Sequence, residues 1–335
     1  MKKALYGYIV LLIVAFASCK GEKKTSADSN PLFQNGELKA ITDKISEDPN
    51  NAALYFERGN KLHKMQEDSL AILDLKKAAT LDSSKAEYFS AVGDILFEHK
   101  DISGSAIWIE KALARNPEDR NAQLKLAKMF VYIKEYTKAF QAINTVLRQD
   151  VYAAEGYFLK GMIYKDLKDT SRSISSFRTA VQMDAQHKES FIQLGQIFSI
   201  KRDPLALSYY DNAYKSDTTD VFPLFAKGVF YQDQHEYELA KKEYRNAILH
   251  DRSYLDAYFN MGYVYMQQDS FEKALRQYEL IANLDQTNAE AYYNKGVAYE
   301  KMGKKPEAIA QYQQALVFDE KYDLPKEALA RLGAK

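Results

Sequence analysis

A single cysteine, Cys19, in 335 residues leaves no partner for an intramolecular disulfide. Proline (7) and glycine (14) are scarce as well, about 6% of the chain against an average near 12%, which argues against a turn-rich β protein and for long helices joined by short loops. Charge of one sign is also missing. The 46 Lys and Arg balance 46 Asp and Glu, so the chain lacks the basic excess with which nucleic-acid binders displace counterions from phosphates. No nucleic-acid partner is expected. Tryptophan occurs once, but 25 Tyr and 17 Phe supply ample apolar area to bury.

Catalytic motifs are absent in the same way. The five histidines, His63, His99, His187, His235 and His250, are dispersed, and none forms a two-histidine helical metal motif or a zinc ligand set. The sequence has no Walker loop, dinucleotide glycine signature or Gly-x-Ser-x-Gly elbow. Paired carboxylates such as Glu236 and Glu238 read as an exposed, solubilising face. A non-enzymatic protein without cofactor or metal is expected.

What is present begins at the N-terminus. Met1-Lys2-Lys3, an apolar run from Ala4 to Ala17 and then Ser18-Cys19 have the three-part layout of a secretory signal peptide. A spanning helix needs about 20 apolar residues, so the run is marginal as a permanent anchor. Phe16-Ala17-Ser18-Cys19 resembles the bacterial lipobox, with Phe16 where leucine is usual. That resemblance implies a signal peptide over 1–18, acylation of Cys19 and anchoring of the chain to a membrane by lipid. An incidental cysteine after an ordinary signal, or an uncleaved inner-membrane anchor, are the alternatives. The polar residues up to 36 are expected to form a flexible tether. In the Gram-negative lipoproteins this resembles, Lys20 rather than Asp after the cysteine favours the outer membrane over the inner, facing the periplasm.

The rest of the chain repeats itself. Gly59, Gly93, Gly161, Gly195, Gly228, Gly262 and Gly296 are spaced 34, 68, 34, 33, 34 and 34 residues apart, with Ala127 at the missing point. A second lattice, Ala78, Ala112, Val146, Ala180, Ala213, Ala247, Ile281 and Ala315, and a third, Ala71, Ser105, Ala139, Ser173, Ala206, Ala240, Ala274 and Ala308, keep the same step. A mid-helix glycine costs about 1 kcal/mol relative to alanine, so these seven need an offset, and close helix approach supplies it. Aromatics four before or three after each lattice point, among them Phe89, Phe191, Tyr258, Phe130 and Phe198, share its helix face. Leu75, Ile109, Ile143, Phe177, Tyr210, Tyr244, Tyr278 and Tyr312, four after the third lattice, mark the buried face of a second helix.

Each period is therefore helix A, a turn and helix B, and it resembles the tetratricopeptide repeat. Ala289-Glu290-Ala291-Tyr292-Tyr293-Asn294-Lys295-Gly296 nearly spells that family's consensus. The resemblance covers residues 52–322 in eight repeats, 52–85, 86–119, 120–153, 154–187, 188–220, 221–254, 255–288 and 289–322. It implies an all-α, right-handed α-solenoid, one continuous body rather than two domains. A capping helix over 37–51, with Leu38, Ile41 and Ile45 inward, and a terminal helix over 323–335, with Leu324, Leu329 and Leu332 inward, would close the ends. The family's proline after helix B survives only at Pro117, so helix ends should rely on Asp, Ser and Asn caps.

In this family the A helices line the groove that takes an extended peptide or partner helix. The inward positions of the last three repeats hold Phe222, Phe225 and Val229, then Phe259, Asn260, Tyr263 and Met266, then Tyr293, Asn294 and Val297. Of these, Phe222, Phe225, Phe259, Asn260, Tyr263, Met266, Tyr293 and Asn294 are the candidate partner-binding residues. The aromatics would act as anchors and the asparagines would hold backbone amides, unless the rings only fill the seams between helices. The expected function is a lipid-anchored scaffold for protein or peptide partners, of undetermined oligomeric state. Cell-wall glycan binding or adaptation of a hydrolase is the alternative.

Overall fold

A computed structural model describes residues 31–34 and 36–334. The expected signal peptide over 1–18, Cys19 and the expected tether up to residue 30 lie outside the described residues. A 3-10 helix at Pro31–Gln34 is followed by eighteen α-helices and, among the described residues, by no strand. The fold is all-α and belongs to the solenoid class. Helix α1 (Gly36–Glu47) precedes eight helix pairs: α2 (Ala52–Lys64) with α3 (Asp68–Leu81), α4 (Ala86–Glu98) with α5 (Ile102–Leu113), α6 (Arg120–Tyr132) with α7 (Tyr136–Gln149), and α8 (Ala154–Asp166) with α9 (Thr170–Met183). Then come α10 (Lys188–Ile200) with α11 (Leu205–Ser216), α12 (Phe222–Asp233) with α13 (Tyr237–His250), α14 (Leu255–Gln267) with α15 (Phe271–Leu284), and α16 (Ala289–Lys301) with α17 (Lys305–Phe318), closed by α18 (Asp323–Arg331).

Where the sequence suggested one continuous body, the chain divides into two compact units, one ending at Glu118 and one beginning at Asp119. The division follows Pro117 and precedes the repeat that departs most from the others, with Gln123 and Ala127 at its aromatic and glycine positions.

Within each unit the glycine lattice is a set of sockets. A Cβ built on Gly59 or Gly93 would come within 2.8 Å of Leu75 or Ile109. On Gly161, Gly195, Gly228, Gly262 and Gly296 it would meet the rings of Phe177, Tyr210, Tyr244, Tyr278 and Tyr312 at 2.4–2.6 Å. Helix B thus drives one large side chain against the backbone of helix A, and the buried ring area offsets the propensity cost of the glycine. The second and third lattices are buried throughout. Two serines of the third stay satisfied by donating to the glycine carbonyls, Ser105 Oγ to Gly93 O at 2.7 Å and Ser173 Oγ to Gly161 O at 3.0 Å.

The turns repeat as strictly as the cores. Gln66, Lys100, Lys134, Lys168, Arg202, His235, Asp269 and Gly303, one per pair, close helix A with φ between 52° and 75°. The next residue donates its N–H to the carbonyl five back, as in Asp101 N to Leu96 O and Asp169 N to Tyr164 O, both 2.9 Å, which is the Schellman closure of a helix end. Seven B helices end on an extended aspartate, Asp82, Asp150, Asp184, Asp217, Asp251, Asp285 and Asp319. Each carboxylate accepts the N–H two residues on at 2.8–3.0 Å. These Asx turns replace the family's proline.

Hydrogen bonds from Ser84, Ser253 and Thr287 hold the carboxyls of Asp82, Asp251 and Asp285 below their ordinary pKa, and Lys188 followed by Thr219 does so at Asp217. A depressed folded-state pKa means the unfolded chain binds protons first, so this stability is present at neutral pH and is lost as pH falls through the folded values. Melting temperature should drop steeply below about pH 4. In Asp217→Asn the C-terminal unit should start lower at pH 7 and show a shallower acid loss, checked by thermal melts from pH 7 to 2.

The two ends differ from expectation in detail. Residues 31–34, expected as part of a tether, form a 3-10 helix whose Phe33 is 1% exposed and lies under Arg58, 4.3 Å from guanidinium carbon to ring centre. Leu38, Ile41 and Ile45 are buried as expected. In α18 the buried residues are Pro325, Ala328 and Leu329, while Leu324 is 47% exposed. A helix that starts at Asp323 carries 325, 328, 329 and 332 on one face and turns 324 away.

Candidate partner-binding surfaces

The inward aromatics of the C-terminal unit serve two purposes. Phe225, Phe259 and Tyr293 lie with ring centres 5.8, 6.2 and 5.7 Å from Tyr244, Tyr278 and Tyr312, the rings that fill the glycine sockets. Phe225 and Tyr293 also reach Tyr254 and Tyr322 of the following turn, at 5.4 and 5.5 Å. These rings, with Phe222 at 6.5 Å from Phe225, fill seams and leave only part of their area in solvent. Asn260 and Asn294 donate to the carbonyls of Asp256 and Glu290 one turn back, each at 2.9 Å, which leaves their carbonyl oxygens to accept from a partner. Met266 packs half-buried against the α14–α15 core. Tyr263, 47% exposed, presents the open ring.

In the N-terminal unit a cavity of about 730 Å³ opens between α2 and the α1 segment. Leu32, Leu38, Phe56 and Met65 make its apolar surface, and Glu57, Asn60, Lys61 and Lys64 fringe it. Lys61 closes on Glu37, which fastens α1 across the rim. Phe56 and Asn60 are the fifth and ninth residues of the first repeat, the register of Phe259 and Tyr263 in the seventh. Sequence reasoning placed the apolar wall in the last three repeats and missed this one, since Leu32 was read as tether.

Polar clusters were also gathered from positions that look dispersed. Asp68 receives His63 Nδ1 on one oxygen at 2.6 Å and His99 Nε2 on the other at 2.7 Å, and those hydrogen bonds, His63 first, hold its carboxyl below the ordinary range. A period of 34 residues brings positions about one repeat apart together, so the spacing of His63 and His99 was the available signal. Glu155 lies between Lys128 Nζ (2.9 Å) and His187 Nε2 (3.3 Å). Burial raises its pKa, but these two partners outweigh that and leave it lowered. His187, nearly buried, caps α10 by accepting Ser190 N at 3.3 Å. Glu236 and Glu238 are exposed, the latter on Lys241 at 2.6 Å. Among the described residues no group of three or more His, Cys, Asp or Glu is arranged to hold a metal ion, and no helix is long and apolar enough to cross a membrane.

The repeat register can be compared with known proteins. The family models described as Tetratricopeptide repeat match residues 154–187 and 289–322, and that described as TPR repeat matches 262–303. The chain carries tetratricopeptide repeats. Their solved relatives include the C-terminal part of a TPR repeat-containing protein from Cytophaga hutchinsonii, 19% identical with a TM-score of 0.57 over 71% of this chain and 98% of that one. Another is PilW, a type IV pilus biogenesis factor, 17% identical with a TM-score of 0.52 over 63% of this chain and 98% of that one. Both share the tetratricopeptide fold. Among curated proteins, a tetratricopeptide repeat protein 21 homolog from Caenorhabditis elegans is 22% identical over 50% of this chain, and anaphase-promoting complex subunit 3 from Schizosaccharomyces pombe is 22% identical over 39%. The chain spans only 12% and 20% of the length of those relatives.

Proposed function

We propose that this protein is a non-enzymatic, lipid-anchored tetratricopeptide scaffold of the cell envelope, held by Cys19 in the outer membrane, facing the periplasm, and binding protein partners through the inward faces of its A helices. The cavity beside Phe56 and Asn60 supports this reading most directly. It combines an apolar surface able to take an anchor side chain with polar groups at its edge, the composition expected of a recognition groove. Tyr263 offers a second anchor in the C-terminal unit. Phe222, Phe225, Phe259 and Tyr293 are half-buried, and packing already takes up much of each ring.

Met65 is 50% exposed and Tyr263 47%, so Met65→Glu and Tyr263→Glu should leave stability within about 0.5 kcal/mol of wild type. Each should nevertheless strip partners from the protein purified out of detergent-solubilised envelopes. An unchanged set of co-purifying proteins in both variants would refute the groove. Cys19→Ser should move the protein from the membrane to the soluble fraction, and continued sedimentation with membranes would refute the lipid anchor.

A further inference from the structure

The seventh residue of four repeats is basic where the other four carry Val, Leu, Leu and Met: Arg58, Lys160, Lys227 and Lys295. Two of these charges are closed internally. Arg58 grips Asp74 at 2.6 and 2.8 Å, and Lys227 lies 2.8 Å from Asp211 and 3.5 Å from Glu243. Burial would lower the pKa of Lys227, but Asp211 and Glu243 reverse that and raise it.

Lys295 has the same surroundings in the repeat register and a different outcome. Glu279 stands sixteen residues before it, as Asp211 stands before Lys227, and Gln311 replaces the acid sixteen residues after. Glu279 and Lys295 make no hydrogen bond or close ion pair, although the Glu279 charge acts on the ammonium. Instead both line a cavity of about 400 Å³ between the ends of α15 and α17 and the first turns of α16. Lys295 Nζ rests 4.9 Å from the centre of the Tyr292 ring. Burial pushes its ammonium below the ordinary range, with Glu279 opposing. Tyr292 and Phe318, 5.2 Å apart, form an aromatic wall, and Asn283 and Gln286 stand at the rim.

Two opposite charges that face one cavity without a direct ion pair between them are matched by a ligand that carries both signs at short separation. We infer that this cavity binds a small zwitterion, a free α-amino acid, with its carboxylate on Lys295, its ammonium on Glu279 and its side chain against Tyr292 and Phe318. The rim amides of Asn283 and Gln286 would complete the polar contacts. The site is far in sequence from the cavity at Phe56 and independent of the partner-binding proposal.

The test is titration calorimetry and thermal shift on the full-length mature protein with each of the common amino acids, and with acetate, methylamine and inorganic phosphate. The expected result is saturable binding of at least one amino acid, none by acetate or methylamine at the same concentration, and at least tenfold weaker binding in both Lys295→Met and Glu279→Gln. Lys242→Ala, on the exposed side of α13, should bind as wild type. The two site variants keep the stem and the shape of the residues they replace, and their melting curves confirm folding. No saturable binding of any amino acid at 10 mM, equal binding of phosphate, or undiminished binding in the folded variants would each overturn the assignment.

Discussion

Replacing Arg58 with methionine is expected to cost the N-terminal unit about 3–5 kcal/mol, the usual penalty for breaking a buried ion pair and leaving one charge uncompensated. Arg58 is 1% exposed, bonds both oxygens of Asp74 at 2.6 and 2.8 Å and donates to Thr42 Oγ1 at 3.1 Å. Thr42 in turn donates to Leu38 O at 2.7 Å, and Phe33 lies against the guanidinium. One side chain therefore joins the 3-10 helix, α1, α2 and α3. Its loss should release the capping segment first, because repeat arrays open from their ends. Urea melts combined with hydrogen exchange would show residues 36–64 exchanging early in Arg58→Met. The double variant Arg58→Met/Asp74→Leu should recover much of the loss, since an apolar replacement of a buried pair is often nearly neutral. A loss below about 1 kcal/mol in the single variant would mean that the pair does not hold the cap.

The second large effect concerns the sockets. Gly161→Ala places a Cβ 2.5 Å from the Phe177 ring, so it should destabilise by about 1–3 kcal/mol through overpacking, although alanine is the better helix former by about 1 kcal/mol. The third repeat indicates the remedy. It places Ala127 and Ile143, both fully buried, at the positions of Gly161 and Phe177. Adding Phe177→Ile to Gly161→Ala should therefore recover stability that neither substitution alone predicts, with a favourable coupling of about 1 kcal/mol or more in a double-mutant cycle. Additive effects would show that the ring and the glycine are not partners. Gly262→Leu, against Tyr278 at 2.6 Å, should lose as much or more.

The sockets were legible in the sequence because sterics restricts them to glycine or alanine, and the residues that fill them recur as large apolar side chains. The turns were not. Their left-handed position accepts Gln, Lys, Arg, His, Asp and Gly in turn, because the closing hydrogen bonds use backbone atoms and leave residue type nearly free. The aspartate ladder from Asp82 to Asp319 was visible at the same period, yet it reads as ordinary solvated charge until its carboxylates are seen accepting backbone N–H groups. Leu324 was misplaced because at about 100° per residue it lies about 140° around the helix from Leu329, so the two cannot share one buried face.

The candidate groove was half legible. Register put Phe225, Phe259 and Tyr293 on the inward side, but only the fold reveals that the socket rings of Tyr244, Tyr278 and Tyr312 take up much of their area. The cavity beside Phe56 depends on Leu32, which precedes both the predicted capping helix and the repeat pattern.

Partner binding on the inward face is tested most directly by photo-crosslinking in cells from positions 60 and 263, compared with position 242 on the exposed side of α13. Adducts at 60 or 263 that are absent at 242 are the expected result, and their identity names the partner. Adducts confined to 242, or none at any of the three positions, would contradict the account and leave the inward aromatics with packing as their whole role.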